Sequence, residues 1–127
     1  MKKLFLLAGA AALLATPAFA DLAGELSTAQ THAGMAATQT DIMMVHKHLQ
    51  HAVNCLVGPS DSMFDAAAGN PCGKAGMGAI PDSTDAAKKA KLTTIAASAK
   101  AGVGNADLAA AQKAAKDTAD AIAAAAK

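Results

Sequence analysis

Alanine is the residue this chain uses most, 37 times in 127, and that preference narrows what it can fold into. Alanine favours helix more than any other residue but brings only a methyl group to a core. Past residue 20 the chain holds 6 Leu, 4 Ile, 4 Val, 5 Met and one Phe in 107 residues. Leu, Ile, Val and Phe are then 15 of 107, a share that suggests disorder when net charge is high. The formal charge is only +1, so an alanine-rich helical protein is the better reading. The same scarcity leaves no material for an aromatic-lined pocket or for a platform that stacks single-stranded nucleic acid. The expected fold is all-α, a small three- or four-helix bundle with helix axes drawn close along alanine seams.

The first 20 residues read as an export signal. Lys2 and Lys3 precede an apolar run from Leu4 to Leu14, and Pro17-Ala18-Phe19-Ala20 places small residues where a signal peptidase cuts. Cleavage after Ala20 is expected. The apolar run falls short of the roughly 20 residues a membrane span needs, and Pro17 interrupts it, so no stable membrane anchor is expected after cleavage. The protein is accordingly read as periplasmic or secreted, with residues 21–127 as one helical domain.

Export decides how the two cysteines are read. In an oxidising compartment Cys55 and Cys72 are expected to pair, closing an 18-residue segment whose restraint is worth about 3 kcal/mol on the chain-entropy model. The spacing is not that of a C-x-x-C redox or metal motif. After cleavage 9 Lys face nine Asp and one Glu, a formal charge of −1, so the basic excess of a nucleic-acid binder is absent. The scattered acidic residues read as solvated faces and helix starts.

Leu22 to Val57 reads as one long helix or two consecutive ones. Its clearest apolar stripe is Ile42, Val45, Leu49, Ala52/Val53 and Leu56. Gly34 is the weak point, and Thr38, Thr40 or Asp41 can cap a second helix. Gly58-Pro59 ends the segment. Residues 58–82, with three prolines and several glycines, form a long loop that the disulfide staples, with a helical turn near Met63 to Ala68 tucking Phe64 over the core. Helices are expected over about 83–101, started by Asp82-Ser83-Thr84-Asp85, and about 105–126, capped by Asn105. The short turn between them makes these two antiparallel neighbours.

One segment carries chemistry. Three of the four histidines lie in the run from Asp41 to Cys55, and at 100° per residue Met44, His48, His51 and Cys55 form a stripe beside the apolar one. His48 and His51, at i and i+3, have Cβ atoms about 5 to 6 Å apart, close enough to share a metal ion. Imidazole with thioether favours copper, with nickel or zinc as alternatives. Cys55 joins the ligand set only if reduced; His46 lies about 160° around the helix from His48 and is the weaker candidate. Met43, Met63 and Met77 are available as helpers. Such an open site suits binding and release better than structural locking, which normally takes four protein ligands. His32 falls about 21 Å of helix below His46 if the helix is continuous, too far for the same site.

Other chemistries lack their residues. There is no C-x-x-C-H for covalent haem and no His or Met after Met77 to supply a second axial ligand, so no haem is expected. Hydrolase and zinc-protease motifs and phosphate-cradling glycine loops are missing as well, and the protein is not expected to be an enzyme. Two readings follow: a periplasmic protein that binds or buffers a transition metal through its His/Met cluster, or a non-catalytic structural or stress-protective module whose partner is another periplasmic protein.

Overall fold

The computed structural model describes residues 20–127, so the leader expected over residues 1–20 lies, except for Ala20, outside the described residues. Among the described residues the chain is all-helical, and four long helices pack around one core. They are α1 (Leu22–Thr38), α2 (Ile42–Val57), α4 (Ala86–Val103) and α5 (Leu108–Ala125), with a one-turn helix α3 (Ala79–Asp82) and a 3₁₀ turn (Ala66–Ala68) in the long connection. In the bundle α1 lies against α2 and α5, and α4 against the same two. Polar ties fix the direction of each: His46 reaches the α4–α5 turn, Lys100 meets Gln50, and Gln112 meets the α1–α2 turn. The helices therefore run up, down, up, down.

An aspartate starts every long helix. Asp21, Asp41, Asp85 and Asp107 each accept backbone N–H bonds from the first turn, at 2.8 to 3.1 Å, where the positive end of the helix dipole also favours a carboxylate. At Asp85 these bonds hold the carboxyl below its ordinary pKa. The Asp41 cap settles the question of residues 22–57: they are two helices. Gln39 is extended, Asp41 collects the N–H groups of Met43 and Met44, and the chain reverses. Gly34 sits inside α1, where an added Cβ would meet nothing, so packing asks for no break there. The last two helices begin about three residues later than expected. Asp85, the last of its four-residue start signal, is the cap of α4. Asn105 does not cap α5; its side chain accepts from the N–H of Asp107, which does.

The core is thin in large side chains. Leu26, Val45, Leu49, Val53, Leu56, Leu92 and Ile122 are buried, and alanines fill the seams between them. Close approach replaces bulk: a Cβ on Gly102 of α4 would stand 2.7 Å from Ala114 Cβ on α5 and 2.8 Å from Leu49 Cδ2 on α2.

The connection from Gly58 to Asp85 packs against α2 and α1, and its short helix α3 meets α1, α2 and α4. Cys55 and Cys72 are disulfide-bonded, joining the end of that helix to the loop. Asn54 is buried and satisfied by the loop backbone: its Nδ2 donates to Asp65 O and Gly69 O, both at 2.7 Å, and its Oδ1 accepts from Asp65 N at 2.9 Å. Gln50 donates to Met63 O at 3.0 Å. Phe64 packs on the core as expected, and Met63 packs there with it. Gly58 (φ 73) and Gly78 (φ 114) pass so closely that a Cβ on either would collide with the backbone of the other segment.

Glu25 departs from the reading of acidic residues as solvated. It is fully buried where α1 meets the loop and α3; its Oε1 accepts from Gly78 N at 2.8 Å, while Oε2 has no partner among the described residues. Burial pushes its pKa from 4.5 to about 7, and the neighbouring Asp82 adds to the rise through its charge and a hydrogen bond. A carboxyl raised in the folded state binds its proton more tightly there than in the unfolded chain. Its stabilisation is complete below the unfolded value of about 4.5 and is lost as pH climbs through about 7. Glu25→Gln keeps the shape without the charge. It is expected to be more stable than wild type by on the order of 2 to 3 kcal/mol at about pH 8.5, with the difference shrinking toward pH 5. Urea midpoints across that range check it, and a difference that does not change with pH would rule the assignment out.

Candidate metal centre

The reversal at residues 39–41 sets α1 against α2 antiparallel and brings three imidazoles together. His32 and His48, each eight residues from Thr40, meet across the groove with Nδ1 atoms 3.3 Å apart. His51, one turn along α2, places its Nδ1 3.3 Å from the same Nδ1 of His32. His32 and His48 stack with ring centroids 5.6 Å apart, and His51 meets His32 edge-on at 4.8 Å. One ligand atom from each ring lies within 4.8 Å of the others.

The protons identify the chemistry. His51 Nε2 lies 2.6 Å from Ala68 O, and a carbonyl only accepts, so Nε2–H donates and Nδ1 of a neutral ring carries a lone pair. That lone pair points at His32 Nδ1, which is also in contact with His48 Nδ1. A single N–H on His32 cannot give two well-aligned bonds, so the three Nδ1 atoms hold more acceptor capacity than they have protons to share. Charging the rings is opposed on separate grounds. His32 and His48 have pKa values below the ordinary imidazole value, first because both are partly desolvated and then because a charged His51 repels them. Neutral imidazoles with converging lone pairs are what a metal ion requires.

The spacing agrees. Metal–nitrogen bonds of about 2.0 to 2.1 Å at a tetrahedral angle put ligand nitrogens about 3.3 to 3.4 Å apart. Two edges of the triangle already have 3.3 Å. The third need only close by a swing of the His48 or His51 ring. Ala68 O is the type of outer partner that fixes the tautomer and orientation of a ligating histidine.

No protein-family model, curated protein or solved structure matches this chain. No described helix is long and apolar enough to cross a membrane.

The cluster differs from the site expected from the sequence. His48 and His51 face one another's neighbourhood as the helical stripe implies, but their companion is His32, which had been set too far away by counting along an unbroken helix. His46 is elsewhere: its Nε2–H donates to Asn105 O at 2.7 Å, tying α2 to the α4–α5 turn. Cys55 is consumed by the disulfide and offers no thiolate. Met44, one turn from His48, is 37% exposed. Met43 and Met77 are exposed, and Met63 packs on the core. The signal for His32 was the capping residue Asp41: a reversal at residue 40 pairs positions whose numbers sum to about 80.

Proposed function

We propose that this protein is an exported binder or buffer of a first-row transition metal ion, held by His32, His48 and His51, with copper favoured and nickel or zinc as alternatives. The convergence of three imidazole Nδ1 atoms at 3.3 Å contacts supports this reading most directly. Imidazole suits copper, nickel and zinc alike, and for a given nitrogen site affinity among divalent ions peaks at copper. Three protein ligands leave a coordination position open, which favours exchange over permanent retention. The half-buried groove keeps that position within reach of a donor or acceptor partner. Export rests on the Lys2–Lys3 leader pattern and the disulfide. We read the protein as a carrier and not an enzyme: the group that could hold the metal is three histidines, with no carboxylate among them to serve as acid or base.

Titration of the purified protein with Cu(II), Ni(II) and Zn(II) against competing chelators tests the proposal. One ion per chain is expected, with Cu(II) tightest, and His48→Ala with His51→Ala is expected to lower affinity by about 100-fold or more. Binding should weaken as pH falls, because protons compete with the metal for the ring nitrogens. Wild type binding no more tightly than the double variant would refute the assignment.

A further inference from the structure

Two thioethers share the groove with the histidines. Met35 is at i+3 from His32 on α1, and Met44 at i−4 from His48 on α2. Each thus stands one helical turn from its histidine, with Cβ atoms about 5 to 6 Å away. The helices are antiparallel and His32 meets His48, so both turns lead the same way, toward the α1–α2 connection. Around each axis Met35 and Met44 are rotated about 40 to 60° from the histidine, away from the side that carries Ala33 and Ala36 on α1 and Val45 and Leu49 on α2. The two side chains therefore rise on the solvent side of one groove, one from each helix.

Their exposure is the second observation. Met35 is 40% and Met44 37% exposed, in a chain that, Met43 apart, fills its other exposed helix positions mainly with Ala, Thr and Lys. Side chains so exposed contribute little core burial. Thioether is a soft ligand that selects Cu(I), whereas imidazole accepts Cu(II), Zn(II) and Ni(II) as well. We infer that Met35 and Met44 form a Cu(I)-selective thioether site adjoining the three imidazoles, so that reduced copper in the groove is held by thioether sulfur. Binding is ligand addition to Cu(I), and no electron moves.

This inference rests on the three-histidine reading, and the test separates the two. Met35→Leu with Met44→Leu keeps size and apolarity at exposed positions and is expected to fold as wild type does. Under anaerobic conditions, Cu(I) affinity against a competing Cu(I) chelator is expected to fall at least about tenfold in this variant, while Zn(II) affinity stays unchanged. X-ray absorption of the Cu(I)-loaded wild type is expected to show sulfur in the first shell, lost in the variant. Unchanged Cu(I) affinity, or a nitrogen-only shell in wild type, overturns the thioether site while Zn(II) binding leaves the histidine site standing. Failure of wild type to bind Zn(II) or Cu(II) overturns the histidine site, and the thioether inference with it.

Discussion

His32→Ala is expected to weaken transition-metal binding by about 100-fold or more, at least as much as His48→Ala or His51→Ala, although His32 lies on a different helix from both. Its Nδ1 makes both 3.3 Å contacts, so without it only an i, i+3 pair on α2 is left. Two imidazoles on one surface turn are a site that many helices present by accident. The loss should exceed the roughly 10- to 100-fold that removing an outer partner of a ligand costs. The apo fold should survive, because the core beside His32 is Ala29, Ala33 and Ala36, none of which is altered. At acid pH the variant is expected to be slightly more stable than wild type. His32 has a lowered pKa in the folded state, so its contribution is present above the unfolded imidazole value and is lost as pH falls. His46→Ala is the control: it removes the bond to Asn105 O, costing about 1 kcal/mol of stability, and leaves metal affinity alone. Competition titration of the four variants decides the matter, and a His32→Ala protein that binds as wild type does would remove α1 from the site.

Much of the fold is legible in the chain because it is local. The spacing of Val45, Leu49, Ala52, Val53 and Leu56 marks one face of a helix, and every one of them is buried. The caps Asp41 and Asp85 are equally readable, since each stands directly before a helical run among other capping residues, whereas at α5 residue type points to Asn105 and the cap is Asp107, two residues later. The pairing of Cys55 with Cys72 follows from there being only two. What could not be read was which faces meet. His32 and His48 are 16 residues apart, and whether that is one long helix or a folded-back pair depends on three residues, Gln39 to Asp41. Glu25, Gln50 and Asn54 sit at positions that look solvated by residue type. They are buried because the loop arrives with backbone donors and acceptors for them, an arrangement that no helical periodicity encodes.

Opening the disulfide is expected to lower stability and metal affinity together. Replacing both Cys55 and Cys72 with serine frees the 18-residue segment between the end of α2 and the loop, at a cost of about 3 kcal/mol. For a core with so few large side chains this is a substantial share of the whole, and the urea midpoint should drop accordingly. The second effect follows from the position of Ala68. Its carbonyl, which accepts from His51 Nε2–H at 2.6 Å, lies inside the stapled segment. A loop that samples more conformations holds that carbonyl in place less of the time, so His51 loses its fixed tautomer and orientation. Affinity is expected to fall about 10- to 100-fold, the range for losing an outer partner. Measured at low temperature, where both proteins are folded, affinity reports the seat of His51 and not global unfolding. Asn54 supplies the competing restraint through its three bonds to Asp65 and Gly69. If those bonds alone keep Ala68 in place, the serine variant will be less stable yet bind metal as tightly as wild type, and the staple will have no part in ordering the site. If stability also stays at the wild-type level, the loop does not depend on its disulfide at all.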